Sequence, residues 1–121
     1  MLQYATYWNY QTIINKIVMA KVTYGYEPTH PGEVIKDEIE YRNISQRELA
    51  RQLGMSYKAL NDLLNGRRSL SATTAMMLEA ALDIPADSLL RLQMKYNMHR
   101  TANDPSFIER LNNIRKYAAL L

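Results

Sequence analysis

The stretch Ser45 to Arg68, SQRELARQLGMSYKALNDLLNGRR, constrains this chain most, because its punctuation leaves room for two short helices and one tight turn. Ser45 is a favourable helix N-cap, and Glu48 three residues on reaches back toward the Ser45 backbone N–H, so SQRE reads as a reciprocal capping box. Leu49, Ala50 and Leu53 then share one helical face, while Arg47 and Arg51 lie off it. Gly54 ends this helix, since glycine adopts the left-handed exit conformation at least cost. Ser56 caps a second helix whose apolar positions are Leu60, Leu63 and Leu64. Two helices meeting at a sharp angle need a small side chain where they cross, and Ala50, four residues before Gly54, supplies it.

With the leucines buried, Ser56, Tyr57, Lys58 and Asn61 remain on the free side of the second helix. The pattern Gln46, Ala50, Gly54, Leu60, Leu63 resembles the helix-turn-helix of phage-repressor-like regulators, in which the second helix enters the major groove. Asn pairs with adenine N6 and N7, Lys donates to guanine O6 or N7, and Ser or Tyr serves a base edge or a phosphate. Gln46, at the amino end of the first helix, meets a phosphate where the helix dipole favours an anion. Arg67 and Arg68, just past the helix-ending Gly66, add two phosphate contacts. A glycine turn between helices occurs in many bundles, and a lone surface Arg is ordinarily only a solvated charge. It is the conjunction of capping box, Ala50–Gly54 spacing and Gly-Arg-Arg exit that points to double-stranded DNA.

At 121 residues and 47% hydrophobic content, the chain suits one domain with a single core. A formal charge of +3 is too mild to signal nucleic acid by itself, but its distribution is uneven. Ser45 to Ser71 holds five bases (Arg47, Arg51, Lys58, Arg67, Arg68) against two acids (Glu48, Asp62), whereas Glu33 to Arg42 holds four acids against two bases. The absence of cysteine excludes a disulfide framework and thiolate-bound zinc. His30 beside Glu33 has no clustered second ligand, so neither a metal nor a cofactor is expected. No carboxylate–histidine cluster or Gly-rich phosphate loop suggests an enzyme, a nuclease included. No run approaches a membrane span, and no leader is evident at the amino end, which makes the cytoplasm the expected location.

Taken in order, residues 1–18 are rich in tyrosine and carry the only Trp. Tyr7, Tyr10 or Trp8, Ile14, Ile17 and Val18 mark one face of a helix or arm that packs on a partner. Alternatively Met19, opening MAKVTYGYEPTHPGEV, is the true start and these residues are an upstream extension. Tyr24 to Thr29 reads as a loop. Pro31 then suits the first turn of a helix that Glu33 favours electrostatically; Val34, Ile35 and Ile39 face the core, and Asn43 ends the helix before Ile44. Beyond the central stretch, Ser71 caps a helix with Ala75, Leu78 and Leu82 buried and with Met76 and Met77 filling gaps. Asp83 to Pro85 ends that helix and begins another over Ala86 to Asn97. The apolar residues Leu89, Leu90, Leu92 and Met94 on this last helix are assigned to a dimer interface, or else they cover the amino-terminal extension. Met98 to Asn103 reads as a linker, and Asp104 and Pro105 start a final helix with Phe107 or Ile108, Leu111, Ile114 and Ala118 on one side. That helix either folds back or serves a partner. The expected fold is therefore all-α: an extension (1–28), a five-helix domain (29–98), and a linker with one more helix (99–121).

The span from Thr29 to Met98 also resembles the HigA antitoxin family, described too as VapI-like, within the phage-repressor-like (XRE) regulators. HPGE at His30 to Glu33, LNGRR at Leu64 to Arg68, and LQ followed by YN at Leu92 to Asn97 carry the likeness; residues 1–18 and the tail after Asn103 depart from it. The resemblance implies an antitoxin that neutralises a HigB-like, mRNA-cleaving toxin and represses its own operon as a homodimer on operator DNA. It implies DNA contacts from Gln46, Ser56, Tyr57, Lys58 and Asn61, with Arg67 and Arg68 on the backbone. A basic RNA-binding toxin makes the acidic residues Asp37, Glu38 and Glu40 a candidate contact. The alternative is a stand-alone phage-repressor-like regulator with the same DNA surface and no toxin.

Overall fold

A computed structural model describes residues 27–121; the readings made for residues 1–18 and for the start of the following loop lie outside them. Six helices are described: α1 Pro31–Tyr41, α2 Gln46–Leu53, α3 Tyr57–Leu64, α4 Ala72–Leu82, α5 Ala86–Ala102 and α6 Pro105–Ala118. The described residues contain helices and no strand. Pro28–Met98 forms one compact unit, and His99–Leu121 belongs to a second.

The starts of α1 to α4 are chemically marked. Ser45, Ser56 and Ser71 accept through their hydroxyls from the backbone N–H of Glu48, Ala59 and Thr74, the expected caps. Of the capping box only the serine half forms. The first helix has a cap that was not foreseen: His30 Nδ1 accepts from Gly32 N–H at 2.9 Å, while Pro31 occupies the first turn.

The ends of α1, α2 and α3 share one device. Asn43, Gly54 and Gly66 all take left-handed backbones, with φ of 56°, 67° and 73°. In each case the next residue's N–H reaches back five residues: Ile44 to Ile39 O, Met55 to Ala50 O, and Arg67 to Asp62 O. These are paired Schellman exits, which satisfy the last helical carbonyls and turn the chain sharply.

Between these stops the apolar stripes close on one core of Ile35, Ile39, Leu49, Ala50, Leu53, Leu60, Leu63, Leu64, Leu70, Ala75, Leu78, Leu82, Ala86 and Leu89. Val34 is only half-buried, packing on the edge of this core with Ile44 and Leu90. Leu89 is 1% exposed, which corrects its assignment to a dimer interface: it faces the chain's own core. Met94 is exposed, and Leu90 and Leu92 are half-buried. Nor is Met98 to Asn103 a linker. With no Gly or Pro to stop it, α5 continues to Ala102 with Arg100 in its last turn, where a cation suits the helix dipole. It ends at Asn103, whose amide bonds back to His99 O at 2.7 Å.

Two polar ties lock the elements together. Arg42 donates to Leu82 O at 2.8 Å and to Glu38 at 2.7 Å, joining the ends of α1 and α4. Gln93, 4% exposed, accepts from Leu70 N–H at 2.8 Å and donates to Asn97 at 2.9 Å.

Gly32 packs so closely on α3 that a Cβ there would collide with the Leu63 carbonyl. Gly54, by contrast, has nothing within 4 Å and is set only by its positive φ. Gly32→Ala is therefore expected to cost about 1–3 kcal/mol or more, because it overpacks rigid backbone. Gly54→Ala should cost about 1–2 kcal/mol from the left-handed conformation alone. Urea unfolding of the two variants tests this, and an unaltered midpoint for Gly32→Ala would refute the close α1–α3 approach.

Candidate nucleic-acid interface

The surface built by α2, α3 and the loop after them follows from burial on the opposite side. Leu60, Leu63 and Leu64 are at most 1% exposed, so the remaining positions of this eight-residue helix must face outward. Ser56, Tyr57 and Lys58 are exposed, and Asn61 is half-buried. Among the described residues nothing walls this side in.

The side chains here form one connected chain. Lys58 Nζ lies 3.0 Å from Asp62 Oδ2, and Arg67 Nε lies 3.1 Å from Asp62 Oδ1. Arg67 also donates to Asn61 Oδ1 at 2.9 Å, and Asn61 Nδ2 donates to Gln46 Oε1 at 2.9 Å. Gln46, Lys58, Asn61 and Arg67, four of the residues singled out from sequence, are thus brought together across α2, α3 and the loop. Gln46 keeps its amide N–H groups for an outside acceptor. An Asn amide offers two donors and two lone pairs, so Asn61 retains one of each. Ser56 uses its oxygen as a cap, leaving the hydroxyl hydrogen to donate. Arg68 is exposed and is not drawn into this chain.

Two residues were missed by the sequence reading. Arg47 places its guanidinium 4.8 Å from the centre of the Tyr57 ring, a cation–π contact that carries another positive charge to the edge of the surface. Its position off the buried face of α2 was the available signal. Asp62, counted only as an acid in a basic stretch, is the centre of the network. Its spacing from Lys58, one helical turn, was visible in the sequence; its contact with Arg67 required the Gly66 turn.

The loop bearing Arg67 and Arg68 is held at both ends. The Gly66 exit fixes its start, and the Gln93 bond to Leu70 N–H fixes its finish. A Cβ on Gly66 would rest 3.7 Å from the His30 ring, and His30 in turn meets Tyr96 edge to face, with centroids 4.8 Å apart. His30 of HPGE, Gly66 of LNGRR and Tyr96 of LQ…YN therefore meet beneath the loop. These three support it, while Arg67 and Arg68 form its outer surface.

A helix-turn-helix family model matches residues 35–89. The chain belongs to the XRE-type helix-turn-helix family. It is 35% identical over 72 residues to virulence-associated protein A' of Dichelobacter nodosus, covering 59% of this chain and 63% of that protein. It is 32% identical over 89 residues to repressor protein C of Rhizobium phage 16-3, covering 74% of this chain but only 32% of the repressor. The chain thus spans less than two thirds of either relative. Among solved structures it is similar to PA4674 of Pseudomonas aeruginosa in complex with its operator DNA, at 34% identity and a TM-score of 0.60, over 69% of this chain and 92% of that one. The Pseudomonas aeruginosa antitoxin HigA with the higBA promoter gives 30% identity and a TM-score of 0.59, over 73% and 91%. In this XRE-type chain no described helix is long and apolar enough to cross a membrane.

The Lys58 ammonium, and after it the Arg67 guanidinium, hold the Asp62 carboxyl below the ordinary aspartate range by hydrogen bonding to its ionised form. A depressed folded pKa contributes stability above the unfolded value that is lost as pH falls through the folded one, so this contribution fades only in acid. NMR titration of Asp62 should give a midpoint below that of a free aspartate, and either Lys58→Ala or Arg67→Ala should move it upward. A midpoint indifferent to both changes would show the two ion pairs absent in solution.

Proposed function

We propose that this chain is the antitoxin of a HigB/HigA-type toxin–antitoxin module, which neutralises an mRNA-cleaving toxin and binds operator DNA as a dimer to repress its own operon. One observation carries the reading: the hydrophilic side of α3, with the two-arginine loop beside it, faces outward in a chain similar over most of its length to proteins solved on operator and promoter DNA. In this reading α3 lies in the major groove, with Ser56, Tyr57, Lys58 and Asn61 toward the bases. Gln46, Arg67 and Arg68 lie on the phosphates. The role is one of binding, without catalysis, in the cytoplasm.

The domain unit is the five-helix repressor-like body of residues 29–98, with residues 1–28 as an extension and the α6 region as an appendage. A homodimer presents two such surfaces to half-sites about 34 Å apart, joined through the α5 surface of Leu90, Leu92 and Met94. For the toxin, the exposed acids of α1 are the surface of matching charge. Glu38 is already paired with Arg42, so Glu33, Asp37 and Glu40, which with Lys36, Leu64 and Asn65 line a shallow groove, are the acids left to meet a basic partner.

A second reading, a stand-alone regulator without a toxin, is favoured by the likeness to the phage repressor. Co-expression of the chain with the neighbouring reading frame, followed by co-purification and a footprint on the shared promoter, separates the two. A stable complex that protects the promoter supports the antitoxin, and a footprint from the chain alone with no complex supports the stand-alone regulator. On the protected operator, Asn61→Ala should cost about 1–3 kcal/mol and relax preference at one base pair. Arg67→Ala should weaken operator and random DNA alike. Identical losses from both variants on both DNAs would show Asn61 misassigned as a reader.

A further inference from the structure

Of the three Schellman exits, one departs from the others in chemistry. The residue after the left-handed turn commonly packs an apolar side chain near the residue whose carbonyl accepts its N–H; Ile44 and Met55, bonded to Ile39 O and Ala50 O, both pack on the core that contains Ile39 and Ala50. After Gly66 the corresponding pair is Arg67 and Asp62, a cation and a carboxylate joined both through the backbone at 2.8 Å and through their side chains at 3.1 Å. Lys58 occupies the other carboxylate oxygen at 3.0 Å. The acid is the inner member, its side chain 23% exposed, while Lys58 is 85% and Arg67 60% exposed. A carboxylate therefore stands behind two outward cations in the middle of the surface proposed to meet a polyanion.

We infer that Asp62 sets how sharply this surface discriminates among DNA sequences, by holding Lys58 and Arg67 in one arrangement and offsetting one of their charges. The inference rests on the DNA-binding reading above. A phosphate backbone attracts free cations without regard to sequence, and each neutralised phosphate contributes to affinity and to its salt dependence. With Asp62 in place, Lys58 and Arg67 can be used fully only in the geometry the carboxylate permits, and a misplaced duplex meets a negative charge at close range. Arg67 donates to Asn61, and Asn61 to Gln46, so the same carboxylate also steadies the side chain proposed to read a base. Asp62 is thus a positioning residue: it acts through Lys58, Arg67 and Asn61.

The test uses the full chain and two duplexes of equal length: one selected by the wild-type protein from a random-sequence pool, and a scrambled version of it. Binding is followed by fluorescence anisotropy across a range of salt for wild type, Asp62→Asn, Asp62→Ser and Asp62→Glu. Removing the charge should tighten binding to the scrambled duplex on the order of fivefold to tenfold near 0.1 M salt, and steepen the slope of log K against log salt by about one. The selected duplex should gain less, so the ratio of the two affinities falls. Asp62→Glu, which keeps the charge, should leave scrambled-duplex binding and its salt slope at the wild-type values. Asp62→Ser repeats the neutral case with a smaller side chain should Asp62→Asn lose its helical circular dichroism. Equal gains on both duplexes, no change, weaker binding to both, or a Glu variant that behaves like the neutral ones each overturn the inference. Failure of the wild-type chain to enrich any sequence overturns the DNA-binding reading and this inference with it, and it is seen before any variant is compared.

Discussion

Everything on the proposed interface depends on the burial of three leucines. An eight-residue helix is well below the roughly 12–15 residues at which an isolated helix becomes even marginally stable in water. α3 therefore exists because Leu60, Leu63 and Leu64 are sealed in the core, each contributing about 1.5–3 kcal/mol relative to exposure. That burial also fixes the helix's rotation about its axis. The outward direction of Ser56, Tyr57, Lys58 and Asn61 is inherited from the leucines and needs no contact of its own. Gly32 completes the seating, since only a residue without a Cβ lets α1 approach the Leu63 carbonyl this closely.

The turns do as much as the helices. Asn43, Gly54 and Gly66 let the chain leave three successive helices through the same left-handed geometry, so a compact body is assembled from short rods with few loop residues. At the third turn an ion pair stands where the first two carry apolar contacts, and a helix-ending device becomes part of a charged surface. The loop that follows is anchored by Gln93, whose buried amide satisfies the Leu70 N–H that would otherwise be orphaned at a cost of about 1–3 kcal/mol. In the proposed complex, rigid support of this kind lowers the ordering cost of the backbone that carries Arg67 and Arg68.

Much of this was legible from residue types alone. Ser45, Ser56 and Ser71 could be named as caps, and Asn43, Gly54 and Gly66 as stops, because caps and left-handed exits are local chemistry that a few neighbouring residues decide. The buried faces of α2, α3 and α4 followed from helical periodicity. Leu89 was misread because α5 carries apolar residues on several sides, and periodicity does not say which of them the core will take. The stretch Met98 to Asn103 was read as a linker, yet with no Gly or Pro to stop it the helix simply continued to Ala102. The likeness carried by HPGE and by LQ…YN was visible, but its physical content was not. His30 is a cap beneath the Gly66 turn, and Gln93 is a clamp.

The sequence by itself determined where α2, α3 and α4 begin and end and which side of each is oily, since those choices rest on contacts within about one helical turn. Only the tertiary structure decided which polar groups meet. Gln46 and Asn61 are fifteen residues apart, and Arg67 reaches back across the Gly66 turn to Asp62 and Asn61. Hydrogen bonds and ion pairs of this kind depend on distances of a few ångströms between separate elements. Those distances are set by how closely the leucine-lined faces and Gly32 allow the helices to pack, a quantity no stretch of chain encodes alone.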